Sequence, residues 1–319
     1  MIRIVLAVGA FALACVAQAQ GFPIPGKPVR IIVPFPPGGQ TDLQARAIAQ
    51  KLTEGAGLAA LVENRPGAST IIGTREVAKA APDGHTLLYT IAILVQLPHL
   101  YATPPFDVFR EFTPITTGAR TGTVLTAHAS MPFNTVPELV AYAKANPGKL
   151  NCASFGAGTT SHLNCESLNR QAAIQLVHVP YKGSGDAMRD VLSGAAQIFF
   201  DGPTTAIANA KTGRIKLVAA ATEERIGALP DLPTLREAGY EVGITGYLWF
   251  WGPAGMPPAT VDAVYQQLAR AIRHPEIVEL FGKGGAEASG LTPAETARAA
   301  RDLYERWGVV IREAGVRLD

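Results

Sequence analysis

Val29-Arg30-Ile31-Ile32-Val33-Pro34-Phe35-Pro36-Pro37-Gly38-Gly39-Gln40-Thr41-Asp42 is the stretch that decides the architecture. Five residues dominated by β-branched side chains read as a buried strand, Pro34 to Gly39 as a corner, and Thr41 to Leu52 as a helix with Leu43, Ile48 and Leu52 inward. A strand that turns through glycine into a helix is the first half of a βαβ unit, whose strands run parallel with right-handed crossovers. The pattern recurs outward. Strands are predicted at 59–63 and 86–89 with a helix over 69–80 between them, and strands at 123–127, 150–153, 176–179, 196–200 and 217–221 alternate with helices at 136–145, 160–171, 184–192 and 204–211. The segment from Glu223 is punctuated by proline and then helical over 259–273 and 293–314, too poor in strands for a sheet of its own.

The expected organisation is therefore α/β in two domains, each a mostly parallel sheet flanked by helices. Residues 20–122 with 223–319 form a discontinuous first domain, and 123–222 an inserted second one. Two crossings make a hinge, and the cleft between such domains is where small ligands bind.

Composition narrows the class. The 319 residues are 48% apolar and 17% charged, which supports packed cores rather than disorder, and 28 basic against 26 acidic side chains leave +2, too even for binding a polyanion such as a nucleic acid. Residues 1–19 read as a secretory signal: Arg3, an apolar run from Ile4 to Ala17, and the small-x-small pattern Ala17-Gln18-Ala19 before the cleavage point. The run is shorter than the roughly 20 residues of a membrane span, so export to the periplasm is expected. Cleavage removes Cys15 and leaves Cys152 and Cys165, a pair that an oxidising compartment closes if the Cα atoms lie within about 7 Å; the spacing leaves that open. Neither cysteine nor histidine spacing matches a metal site, and no cofactor is implied.

Two strand-to-helix corners carry glycine without a side-chain cation: Phe35 to Asp42, and Ser154-Phe155-Gly156-Ala157-Gly158-Thr159-Thr160-Ser161-His162. Such corners place free helix-start amides and the positive dipole end together, a receptor for an anion; each is equally compatible with a structural turn. In the second, Ser161 replaces the third glycine of a dinucleotide fingerprint and Val177-His178-Val179-Pro180 offers no ribose-binding acid, which disfavours NAD. No nucleophile elbow or phosphate loop occurs, so a secreted α/β hydrolase lacks its triad; His162 reads more readily as a capping residue than as a base. Asp42 and Asp201 fall where two carboxylates could face the cleft, although Asp42 also sits in a first helical turn where the dipole favours it.

From Lys27 onward the chain resembles the Bug family, the substrate-binding receptors of tripartite tricarboxylate transporters. The ordered blocks are Lys27 to Phe35 with Gly38-Gly39 and Asp42, Glu63-Asn64-Arg65-Pro66-Gly67-Ala68, Pro82-Asp83-Gly84, Asn146-Pro147-Gly148-Lys149-Leu150, Gly156-Ala157-Gly158-Thr159, Val179-Pro180-Tyr181-Lys182-Gly183, Phe200-Asp201 and Pro230-Asp231-Leu232-Pro233-Thr234. The resemblance implies a monomeric, non-enzymatic periplasmic binding protein of the Venus flytrap type, type II-like, that captures a small carboxylate for membrane transporter subunits or for a membrane sensor. It also implies one jaw from Phe35, Gly38, Gly39, Thr41 and Asp42, and the other from Ser154, Gly156, Ala157, Gly158, Thr159, Thr160 and Asp201. Backbone amides of Gly38, Gly39 and Gly158 are expected to hold the anion, with Asp42 orienting water or a ligand cation. Thr90-Ile91-Ala92-Ile93-Leu94-Val95-Gln96 is apolar where relatives carry small polar residues. Either Thr90 and Ala92 line the cleft, which with Phe35, Phe155 and Trp249 as walls favours an aromatic mono- or dicarboxylate over citrate, or the run is packed core.

Overall fold

The computed structural model describes residues 21–319; the expected signal sequence and Cys15 lie outside the described residues. The chain runs β1 (Val29–Val33), α1 (Gln40–Ala56), β2 (Ala60–Asn64), α2 (Ile71–Ala78), β3 (Thr86–Thr90), α3 (Ile93–Leu100), α4 (Val108–Glu111) and β4 (Phe112–Thr121) before entering a second sheet. There it forms β5 (Thr123–His128), α5 (Val136–Ala145), β6 (Leu150–Ser154), α6 (Thr160–Ala172), β7 (Leu176–Pro180), α7 (Ser184–Ser193), β8 (Ile198–Asp201), α8 (Pro203–Ala210) and β9 (Ile215–Ala221). It returns as β10 (Gly246–Pro253), α9 (Pro258–Ile272), α10 (Pro275–Lys283), β11 (Glu287–Ala288) and α11 (Pro293–Ala314).

The first lobe holds a six-stranded sheet in the order β11-β4-β10-β3-β1-β2, the second a five-stranded sheet in the order β7-β6-β8-β5-β9. Both are mixed rather than mostly parallel. Strands β2-β1-β3 and β7-β6-β8 run parallel, as the βαβ reading requires, while β10 and β5 pair antiparallel with both their neighbours. The cause in the first sheet is β10, which carries the chain back through its centre. Trp249, Phe250 and Trp251 are fully buried there, so the strand shows no apolar-polar alternation by which to recognise it. Strand β4 is masked differently, since Pro114 and Gly118 punctuate it like a loop.

Other departures have equally local causes. Ala45, Ile48, Ala49 and Leu52 make the buried stripe of α1 at helical spacing, and Leu43, two residues out of phase with Ala45, is 45% exposed instead of inward. The apolar run after β3 is mostly core. Ile93, Leu94, Val95 and Leu97 of α3 are buried in the first lobe's core, and only Ile91 and Ala92, just before the helix, reach the cleft. The segment between β9 and β10 belongs by packing to the second lobe, not the first: Leu235 and Val242 join the core of the second sheet, and Thr234 bridges to Ala220. The return to the first lobe therefore falls near Ile244–Gly246 rather than at Glu223.

Cys152 on β6 and Cys165 on α6 form a disulfide with Cα atoms 6.4 Å apart. It ties a strand to the helix that follows it, across a sequence separation of 13. Loop-closure entropy for a ring of that size corresponds to about 3 kcal/mol. Replacing both cysteines by alanine should lower the denaturant midpoint by an amount equivalent to 2–4 kcal/mol; an unchanged midpoint would show that the bridge contributes nothing.

Candidate functional site

Helices α1, α2, α3, α6, α7, α8 and α9 start without a side-chain cap, and the starts of α1, α6, α7 and α8 meet in one region, with Ala92 before α3 beside them. Helices α4, α5, α10 and α11 are capped by the side chains of Asp107, Thr135, His274 and Thr292, so amides in their first turns are satisfied internally. Helices α1, α6, α7 and α8 begin after Gly39, Thr159, Gly183 and Gly202 with no side-chain cap. Residues at these four uncapped starts, among them Gln40, Thr160, Ser184 and Gly202, line one cleft between the lobes. Apolar groups complete its walls: Phe35 and Ile91 from the first lobe, Phe155 from the second, and Ile244, Tyr247 and Leu248 where the chain returns. No Lys, Arg or His lines this cleft among the described residues. A ligand anion placed here meets the unpaired first-turn amides of α1, α6 and α7 and the positive dipole ends of all four helices rather than a salt-bridging side chain, whereas α8 begins with Pro203, which has no amide hydrogen.

The two lobes approach closely around this cleft. A Cβ at Gly183 would stand 2.8 Å from Cδ of Pro36, so only glycine allows the second lobe to come this near the first glycine corner. The Thr204 amide donates to Oε1 of Gln40 at 3.3 Å across the same gap. Phe35 and Phe155, one from each lobe, meet edge-on with centroids 6.5 Å apart and separate the inner cleft from a wider outer groove.

Eight of the residues singled out in the sequence line the inner cleft: Phe35, Gly39, Thr41 and Asp42, with Ala92, Phe155, Thr160 and Asp201. Gly156, Ala157 and Thr159 flank the outer groove instead. Gly38, Thr90, Ser154 and Gly158 line neither, and for the two glycines the reason is hydrogen bonding. The Gly38 amide donates to Oδ2 of Asp42 at 2.9 Å, and the Gly158 amide to Nδ1 of His162 at 3.0 Å, so neither is free for a ligand. Gly158, with φ +77°, packs against Leu100 and Leu318. Thr90 is fully buried in β3, and Trp249, an expected wall, is buried with its indole N–H donated to the carbonyl of Ile91. Ser154 is buried and shares a 2.7 Å hydrogen bond with Nε2 of His178, whose ring stacks on His162 at 3.6 Å. Burial and the neighbouring His162 push His178 down to about 4, so this pair supports the second corner from behind.

The two aspartates play different parts. Both oxygens of Asp42 are occupied by the Gly38 amide, the Arg46 guanidinium and Nδ2 of Asn64. Burial raises its pKa, but the bonds from Arg46, Gly38 and Asn64 outweigh that and hold it below the ordinary carboxylate range. It is a fixed anion that shapes the first corner, rather than a reader of ligand cations. Asp201 is fully buried, accepts 2.5 Å bonds from the hydroxyls of Ser184 and Thr205, and faces no cation; burial pushes it up to about 6 against those bonds. Reasoning from sequence missed Ser184 and Gly202, although both follow strands at strand-to-helix corners and the same rule could have found them. It also missed the wall of Ile244, Tyr247 and Leu248, which depends on the unrecognised β10.

A two-lobed binding fold with an interdomain anion cleft is the class that these features define. The chain belongs to the tripartite tricarboxylate transporter family receptors, whose family model matches residues 44–316. It is 35% identical over 291 residues to a protein from the tcbD-tcbE intergenic region of Pseudomonas sp. strain P51, covering 91% of this chain and 87% of that one. BugT of Bordetella pertussis is 30% identical over 324 residues, covering 100% and 99%. Among solved structures, the periplasmic binding protein BugD superposes with a TM-score of 0.86 at 33% identity over 92% of this chain and 99% of its own. Rpa4515 of R. palustris with adipate gives 0.87 at 30% over 92% and 99%. MatC from Rhodopseudomonas palustris with bound malate gives 0.83 at 27% over 90% and 100%. No described helix is long and apolar enough to cross a membrane.

The raised Asp201 sets a pH dependence whose sign follows from linkage. The folded state holds this proton more tightly than the unfolded chain, so its contribution to stability is full below about pH 4 and is lost as pH rises through about 6. The difference corresponds to about 3 kcal/mol. The melting temperature of Asp201→Asn should therefore gain several degrees on wild type between pH 4 and 7, and a pH-independent difference would refute the assignment.

Proposed function

We propose that the protein is exported to the periplasm and, as a monomer, captures a small organic carboxylate between its lobes for delivery to membrane transporter subunits, without transforming it. The observation that carries this reading is the convergence of four uncapped helix starts from both lobes on one cleft that holds no basic side chain among the described residues. Each charge-assisted amide bond to a carboxylate contributes about 1.5–3 kcal/mol, so a few offset the desolvation of one anionic group. The adipate and malate complexes of the similar proteins support the ligand class.

The body of the ligand is read from the walls. Phe35, Ile91, Phe155, Ile244 and Leu248 leave few side-chain partners for extra carboxylates or hydroxyls, which favours an acid with an apolar body, aromatic or aliphatic, over citrate. In a thermal-shift panel, benzoate, phthalate and adipate should raise the melting temperature more than malate or citrate; saturation at 100 times the dissociation constant is worth about 2.7 kcal/mol. A largest shift with citrate would overturn the apolar-body reading, and no shift with any acid would overturn the function.

Gly39 tests the amide receptor. An added Cβ there would lie 3.6 Å from Cβ of Ser184 across the cleft, so alanine fits while the branched valine intrudes on the space between the corners. Gly39→Val should abolish calorimetric binding of whichever acid gives the largest shift, with Gly39→Ala retaining most of it; full affinity in the valine variant would count against this corner as the anion seat.

A further inference from the structure

We propose that Gln96, which does not line the cleft, is a positioning residue that fixes the hydroxyl of Thr160 as a hydrogen-bond donor to the bound carboxylate and does so only when the lobes are closed. The inference rests on the carboxylate reading above and adds to it a residue from outside the cleft. Gln96 stands on α3 in the first lobe, fully buried in a run otherwise made of Ile93, Leu94, Val95 and Leu97. Its Nε2 donates to Oγ1 of Thr160 at 2.9 Å, and Thr160 is the first residue of α6 in the second lobe.

An amide nitrogen has hydrogens and no lone pair, so it can occupy only an acceptor position on the hydroxyl oxygen. The hydroxyl hydrogen must then point away from Gln96. Thr160 lines the cleft, and no protein acceptor takes this hydrogen among the described residues, which leaves it available to a ligand oxygen beside the free amides of α6. Without Gln96 the hydroxyl is free to rotate, and a carboxylate, which only accepts, gains from one of its orientations alone.

The Oε1 of Gln96 has no hydrogen-bond partner although it is buried. A buried amide with half its capacity unmet costs folding stability, and an apolar residue at this place in α3 would avoid that cost. Its presence is accounted for by the one bond it does make, a bond that joins the two lobes. Any opening that parts α3 from α6 breaks it, so its contribution should appear in the residence time of the ligand more than in its capture.

A double-mutant cycle tests this. Wild type, Gln96→Met, Thr160→Val and the double variant are titrated calorimetrically with adipate, malate and benzoate, and the kinetics of the tightest-binding acid are followed by stopped flow. Each single variant should weaken that acid at least fivefold through a faster dissociation rate with unchanged association, and the double variant should be no weaker than the worse single. Gln96→Leu, apolar and of similar volume, supplies the same comparison if the thioether does not fold. Multiplicative losses in the double variant, or wild-type affinity in Gln96→Met, overturn the role of Gln96 and leave the carboxylate reading standing. Failure of wild type to bind any of the three acids overturns that reading and the role of Gln96 with it.

Discussion

Amide hydrogens at the start of an uncapped helix must find a partner, and the arrangement of this molecule follows from where that requirement is left unmet. Helices α4, α5, α10 and α11, directed elsewhere, meet it with the side chains of Asp107, Thr135, His274 and Thr292, twice through a reciprocal Thr–Glu box, while α9 starts uncapped at Pro258, which has no amide hydrogen to satisfy. Those around the cleft start after Gly39, Thr159, Gly183 or Gly202 and make no such bond. The glycines serve two purposes, since they withhold a cap and also let the lobes come together. Stability is given up at the same places where an anion would restore it.

Electrostatics around the cleft are arranged by neutral or pre-paired groups. A carboxylate beside an anion site would normally repel its guest, yet Asp42 is neutralised by Arg46 on the side away from the cleft lining, and it braces the corner through the Gly38 amide. Asp201 answers the same problem differently: burial lifts its pKa toward neutrality, and two hydroxyls from Ser184 and Thr205 hold it in place. Two residues of one chemical type are thus shifted in opposite directions because one has a cation within reach and the other has only dipoles.

Much of this could be read before any coordinates, and what could not has identifiable physical causes. Strand β1, its glycine corner and α1 are legible because strand, turn and helix chemistry follow one another from Val29 to Ala56 without conflict. The return strand β10 was illegible because burial on both faces erases the period-two signal, and the antiparallel half of the first sheet went unread with it. Glycine corners announced that amides would be presented, but not which amides are already taken; that depends on whether Asp42 and His162 fold back four residues, as they do to Gly38 and Gly158. Gln96 could not be singled out at all, since its meaning comes from Thr160, 64 positions away in the other lobe.

The second corner is also held from an unexpected direction. Leu318 lies against Gly158, its amide bonds to the carbonyl of Leu100, and the carboxylate of Asp319 takes the Ala102 amide. A purification handle joined directly after Asp319 would thus load the loop behind the pocket, so affinity tags and surface-attachment linkers for biosensor work are better placed away from Leu318 and Asp319.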